Sequence, residues 1–232
     1  MPTFWIITCL VLLSATGFVF GRRRALVSAD WQVPNLHSLP QYYGLNVAFS
    51  ALLPALGVLS LWLLAQPMII ETRAMALFPT ELAHDEVNAR LAMSDVRRVS
   101  NGLSLAVNQG LMSNSEANNL SIEVADLRSR LKELGIAIGS DVRPEILTVA
   151  HHYRDMSQNG RVMMTIVVGL AALIGLARSY GRTDKNLRAR NIVERGIMVV
   201  LNLAALLAIL LTFGIVLSML FETVSFFGLH SP

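Results

Sequence analysis

Four uncharged apolar runs constrain this chain more than any other feature of its sequence. They cover residues 3–21, 43–65, 162–177 and 197–221. A bilayer core about 30 Å thick is crossed by about 20 apolar helical residues. The third run is shorter, but Arg161 and Arg178 on either side of it have stems long enough to reach the interfaces. We therefore predict an all-α, multi-pass membrane protein with four transmembrane helices.

The composition supports this class and argues against an enzyme. Hydrophobic residues make up 53% of the chain and charged residues 15%, whereas soluble domains carry about 25% charged residues. The single cysteine, Cys9, excludes an intramolecular disulfide and a cysteine zinc knuckle, and its neighbours predict a buried or lipid-facing side chain. No phosphate-loop, zinc-protease, nucleophile-elbow or dinucleotide motif occurs in the sequence. We expect no catalytic, metal or cofactor site.

The first apolar run is not a cleavable signal peptide. Such peptides carry positive charge before the apolar stretch, whereas here Arg22, Arg23 and Arg24 follow it directly. Basic residues next to a span mark the cytoplasmic side of the membrane. We therefore predict a membrane anchor with its amino terminus outside the cell membrane and its three arginines in the cytoplasm.

The net charge of +3 is divided unevenly along the chain. The loop 22–42 carries +2 and the loop 178–195 carries +4, while residues 66–160 carry −3. With four alternating spans, both basic loops face the cytoplasm and residues 66–160 lie on the outer side as a helical segment. The predicted topology-determining residues are Arg22, Arg23, Arg24, Arg178, Arg182, Lys185, Arg188, Arg190 and Arg195. Loops beside spans favour contact with anionic lipid over nucleic acid.

Within residues 66–160, apolar residues recur at steps of three and four, which is the spacing of packed helices. The three seams consist of Ala89, Ala92, Val96, Val99, Leu103 and Ala106, then Ala117, Leu120, Val124, Leu127, Leu131 and Leu134, and finally Ile146, Val149, Tyr153 and Met156. These seams predict a helical hairpin and a third helix that continues into the third span. Internal packing is the ordinary role of such seams, and a docking face for a partner is the alternative.

Turn signals separate these three helices. They lie at residues 110–114, with Ser113 and Glu116 in the form of a capping box, and at residues 135–141 before Pro144.

Few polar residues suggest a site. His151 and His152 point about 100° apart on a helix, so with Asp155 they predict a solvated face rather than a metal site. The same interpretation applies to the run His84, Asp85 and Glu86. Two asparagines lie inside spans, at positions 46 and 202, and they predict hydrogen bonds between helices. A role of Asn202 in permeation is the alternative.

Two parts of the sequence resemble bacterial phosphate ABC transporter permeases, subunit PstC, in their long form. One part is LHSLPQYYG at 36–44 with ALLPALGVLSLW at 51–62. The other is RNIVERG at 190–196, which leads into ILLTFGIVLSMLFETVSFF at 209–227. The resemblance implies that residues 191–232 begin the permease core, with its first span at 197–221. It also implies that residues 1–190 form an accessory extension, comprising 1–65, a periplasmic helical domain at 66–160, and 161–190. By the same resemblance, the chain lies in the inner membrane of a bacterium with its amino terminus in the periplasm.

The resemblance further implies the partners: a second permease subunit, a cytoplasmic ATPase dimer that hydrolyses the ATP, and a periplasmic phosphate-binding protein. The ATPase-docking loop typical of such permeases does not occur before Pro232, so we expect a fragment of a longer permease or a truncated product. A membrane-anchored sensor or interaction protein with a periplasmic helical input domain is the alternative, although its cytoplasmic loops of about 20 residues are short for a signalling output.

Overall fold

In the computed structural model of the chain, residues 3–78, 86–110, 112–117 and 144–229 are described. Within these ranges every regular element is helical, and they contain no strand. The helices are α1 (Thr3–Ser28), α2 (Pro40–Met75), α3 (Glu86–Asn108), the single turn α4 (Asn114–Ala117), α5 (Pro144–Arg182) and α6 (Ala189–Leu229). A short 3-10 helix, Val33–Asn35, lies between α1 and α2. The predicted all-α class is confirmed.

Four of these helices are long and apolar enough to cross a membrane: α1, α2, α5 and α6. This confirms the predicted number of spans. Each helix is longer than its apolar run, since α2 has 36 residues, α5 has 39 and α6 has 41. At a rise of about 1.5 Å per residue, helices of this length extend well beyond a bilayer core.

The chain forms two compact units. One comprises Ala55–Leu170, and we call it the insert unit because it interrupts the other in sequence. The other comprises Thr3–Pro54 together with residues from Ala171 onward, and we call it the basic unit because it contains both basic loops. Both α2 and α5 contribute residues to each unit.

The core of the insert unit is formed by the predicted seams of α3 and α5. In α3 the seam residues from Ala92 onward are at most 5% exposed, and in α5 Ile146 and Val149 are buried against the same cluster. Tyr153 and Met156 pack against it, as do Ala74 and Phe78 at the end of α2. The interpretation of these seams as internal packing is therefore confirmed. The second seam beyond Ala117 and the predicted turn at residues 135–141 lie outside the described residues.

Polar contacts also join the helices of the insert unit. Arg97 of α3 forms an ion pair of 2.8 Å with Glu71 of α2. Gln66 of α2 accepts a hydrogen bond from Trp62 Nε1 at 2.9 Å and donates one to the carbonyl of Ser157 in α5 at 3.5 Å. After α3, Gly110 has a φ of +74°, which glycine adopts without strain. A turn therefore follows α3 in the region where the sequence predicted one.

The third helix of the insert unit continues without a break into the third apolar run, as predicted. A single helix, α5, contains Ile146 and Val149 of the insert core as well as residues 162–177. No proline occurs after Pro144 in this helix, so no residue removes a backbone hydrogen-bond donor along it.

In the basic unit, α1 buries one face along its length. The buried residues are Ile6, Leu10, Ser14, Gly17, Gly21 and Ala25, which follow each other at steps of three and four. After Ser28 the chain turns through Asp30 and Trp31, whose φ angles are +51° and +61°. The Trp31 amide donates to the Leu26 carbonyl at 2.8 Å, which satisfies a carbonyl that the end of α1 would leave unpaired. Cys9 is exposed on this helix.

Candidate functional site

The two basic loops of the sequence, 22–42 and 178–195, contact each other in the basic unit, and we call the pair the joined loops. The Tyr43 hydroxyl donates a hydrogen bond of 3.0 Å to the carbonyl of Lys185. The amide of His37 donates to the same carbonyl at 3.1 Å, and the amide of Arg190 donates to Ser38 Oγ at 3.4 Å. The two loops therefore lie at the same end of the helices that they connect.

A small apolar cluster supports these hydrogen bonds. Ala25 of α1, Tyr43 of α2 and Ala189 of α6 are each 0% exposed and pack together. Leu36 and Leu187, one from each loop, pack against them. The start of α6 therefore packs against the end of α1 and the start of α2.

The nine predicted topology-determining residues fall into two groups that differ in exposure. Arg24 is partly buried, its Nε donates to the Thr183 carbonyl at 3.3 Å, and its guanidinium lies 4.4 Å from the centre of the Tyr180 ring. The other eight are exposed, namely Arg22, Arg23, Arg178, Arg182, Lys185, Arg188, Arg190 and Arg195. Of these, Arg190 forms an ion pair of 2.6 Å with Glu194, one turn later. The exposed group forms a positively charged face at one end of the spans.

The spans α1, α2 and α5 pack closely within the basic unit because small residues lie where they meet. A Cβ on Gly21 would lie 2.7 Å from Val47 Cγ2, and one on Gly44 would lie 2.7 Å from the Phe18 carbonyl oxygen. A Cβ on Gly175 of α5 would overlap the carbonyl of Ser50 in α2. Small residues of this kind allow the close backbone approach on which helix packing in membranes depends.

Asn46 forms the interhelical hydrogen bond that the sequence predicted. It is buried, and its Nδ2 donates to Ser179 Oγ of α5 at 3.0 Å. Near it, Ser14 of α1 donates to the Ala48 carbonyl of α2 at 3.2 Å. Asn202 differs, because it lies on an exposed part of α6.

α6 is exposed along its apolar length. Ala189 and Val193, in its first turns, are at most 2% exposed, but every residue from Ile197 to Phe226 is exposed in the described structure. The apolar run at residues 197–221 is thus exposed on all sides of the helix in the described structure.

The predicted solvated face at His151 is wrong for one of its three members. His152 and Asp155 are exposed, whereas His151 is only 5% exposed. The side chain of His151 points into the insert unit because its position coincides with the buried face of α5. The described residues contain no group of three or more His, Cys, Asp or Glu that could hold a metal ion. His84 and Asp85 lie outside the described residues, and nothing is described of the Glu86 side chain.

Sequence reasoning missed Arg154, the largest fully buried side chain in the described structure. It is 1% exposed, and its Nη2 donates to Asn114 Oδ1 at 2.8 Å. A signal was available, since Arg154, Gln158 and Arg161 are spaced by four and three residues and therefore share a helix face. The neighbouring seam from Ile146 to Met156 gives a stronger apolar periodicity than this polar stripe.

Comparison with known proteins agrees with this architecture. A family model described as phosphate ATP-binding cassette transporter matches residues 7–177, about three quarters of the chain. The chain belongs to this family. A search of the curated proteins and a search of the solved structures each found no match. The matched range contains α1, α2 and the apolar stretch of α5, and it ends before α6 begins. The protein is thus a multi-pass membrane component of phosphate transport.

Proposed function

We propose that the chain is the amino-terminal part of a permease subunit, of the PstC type, in an ATP-driven phosphate importer. The observation that carries the proposal is the family match over residues 7–177. The resemblance at 190–196 and 209–227 extends it to α6 as the first helix of the permease core. ATP hydrolysis belongs to a partner subunit in this arrangement.

In the proposed topology, the joined loops face the cytoplasm of a bacterial inner membrane. Eight exposed basic residues at one end of the spans fit the rule that cytoplasmic loops carry an excess of Lys and Arg. Residues 66–160 then form a periplasmic accessory domain, because an odd number of spans, one, separates them from the first basic loop. The proposed topology-determining role of Arg24 is shared with its packing on Tyr180.

The exposed circumference of α6 supports a role in assembly. A span that is exposed along residues 197–226 in the described part of the chain has apolar surface available for other helices. We assign its partners to the transmembrane helices of the permease core and the second permease subunit. The ATPase dimer and the periplasmic phosphate-binding protein complete the proposed complex.

Co-purification tests the assembly. The natural gene product, tagged at its amino terminus, is extracted from its own membranes in a mild maltoside detergent. We expect recovery of a second permease subunit and an ATPase. Recovery of a signalling kinase without either of them would instead support the sensor alternative and contradict the proposal.

Cysteine labelling tests the orientation separately. In a Cys9→Ser background, Asn101→Cys and Asn186→Cys each place one cysteine at an exposed position, the first in α3 and the second in the loop before α6. In intact spheroplasts a membrane-impermeant maleimide should label position 101 and not position 186, and lysis should expose position 186. The reverse pattern would overturn the orientation while leaving the family membership intact.

A further inference from the structure

The insert unit contains a polar cleft beside its apolar core. The cleft has a volume of about 620 Å³. Its polar lining residues among those described are Ser104, Asn108, Asn114, Arg154, Gln158 and Arg161. We call it the arginine cleft.

Helix periodicity explains why these residues meet. Arg154, Gln158 and Arg161 lie one turn apart on α5, and Ser104 and Asn108 lie one turn apart on α3. Earlier along α3, and among the first turns of α5, the residues that face the core are apolar apart from Ser100 and His151. The surface between the two helices therefore changes from apolar to polar in the direction of the third apolar run.

The lining is suited to an anion. Two guanidinium groups contribute positive charge, and Asn108, Asn114, Gln158 and Ser104 can donate hydrogen bonds. No described lining residue is acidic. Arg161 follows Arg154 by two helical turns on the same face of α5, so both guanidinium groups lie on one side of the cleft.

The arginines also differ in exposure, which suits a binding site. Arg154 is 1% exposed and its Nη2 is held by Asn114, so its guanidinium is fixed in place before a ligand arrives. Arg161 is exposed and can close on a ligand from the open side. Arginine favours planar, two-pronged hydrogen bonding to phosphate oxygens.

We infer that the arginine cleft binds a phosphate group, through Arg154 and Arg161, in the insert unit of this transporter component. The choice of phosphate among oxyanions rests on the proposed function. The group comes either from free inorganic phosphate or from a phospholipid headgroup, since Arg161 directly precedes the apolar run that starts at Val162. Both sources present the same tetrahedral oxyanion.

The test uses the full 232-residue chain in maltoside micelles free of phosphate. Equilibrium dialysis with radiolabelled inorganic phosphate measures the first source. Thermal protection by added phosphatidylglycerol, compared with diacylglycerol of the same acyl chains, measures the second. The variant Arg161→Gln removes one charge from the cleft, and Arg98→Gln removes one from an exposed position of α3 that does not line it.

We expect either phosphate binding or selective protection by phosphatidylglycerol, weakened at least about tenfold by Arg161→Gln and less than about twofold by Arg98→Gln. A charge-assisted hydrogen bond has this effect on affinity. The thermal unfolding midpoints of both variants without ligand verify folding, and Arg161 is chosen because the buried Arg154 supports the fold. Binding of neither ligand, or equal losses in the two variants, would overturn the inference. A chain that still co-purifies with an ATPase would then retain the proposed function without the site.

Discussion

The apolar stretch of α5 and that of α6 differ in how they are covered, although both are long enough and apolar enough to span a membrane. In the most apolar part of α5, 17% of the residues are buried, and in that of α6 the value is 0%. The α5 stretch meets α1 and α2 through Leu176, Gly175 and Ser179. Among the residues of α6 whose burial is described, Ala189 and Val193 in its first turns are the buried ones. Hydropathy therefore identifies a span without identifying its neighbours.

The boundary between covered and uncovered spans coincides with the boundary of the family model. The matched residues end at 177, within α5, and α6 begins at Ala189. The family range thus covers most of α1, all of α2, and α5 as far as Ala177. In the proposed permease, α6 obtains its neighbours from outside this range.

The largest effect on stability is expected at Gly175, where α5 touches the backbone of α2. Gly175→Ala should lower the free energy of unfolding by roughly 1 to 3 kcal/mol, because its Cβ overlaps the Ser50 carbonyl and the helices must separate. The matched change Gly214→Ala lies in open space on α6 and should be neutral or slightly stabilising. Thermal unfolding in detergent compares the two. Equal midpoints would show that α5 packs no more tightly than α6.

A smaller effect is expected at the buried asparagine. Asn46→Ala should cost about 0.5 to 1.7 kcal/mol, the range of interhelical hydrogen bonds in membranes, while Asn202→Ala on α6 should change stability little. Ser179→Ala removes the acceptor of the same bond, so the double variant should lose less than the sum of the single losses. Full additivity in this double-mutant cycle would contradict the assigned pair.

The smallest effect on the isolated chain is expected from a large residue on α6. Ala208→Trp should leave the free energy of unfolding within about 0.5 kcal/mol, as for other exposed positions. In the natural gene product, the same change should reduce recovery of the second permease subunit, because the proposed assembly uses the exposed surface of α6. The matched change on α5, Ala172→Trp, introduces the ring at a position that is 0% exposed, so it should destabilise the isolated chain. Marked destabilisation of the isolated chain by Ala208→Trp would show that α6 is packed in solution.

The sequence predicted those features that depend on local spacing. The seam of α3 at Val96, Val99 and Leu103 follows directly from helix periodicity. The hydrogen bond of Asn46 follows from the cost of an unsatisfied amide in an apolar span. The excess of basic residues in the two loops was predicted from the sequence, but the contacts between the loops were not.

Other features depend on residues far apart in the chain, and no local pattern encodes them. The contact of Arg24 with Tyr180 and the bond from Tyr43 to Lys185 each join residues more than 140 positions apart. The burial of His151 was predicted wrongly, because its neighbour His152 suggested a polar face. The stripe of Arg154, Gln158 and Arg161 was readable at helix spacing, but only α3 across from it shows that it borders a cleft.

The bond between Asn46 and Ser179 also sets an order of events during synthesis. Its two residues are 133 positions apart, and at about 5 to 20 residues per second the ribosome needs roughly 7 to 27 s to make the intervening chain. During that interval α1 and α2 can enter the membrane as a pair, with the amide of Asn46 still lacking Ser179. The nascent two-helix intermediate therefore carries a polar group that only the arrival of α5 satisfies, and it is most open to mispairing at that stage.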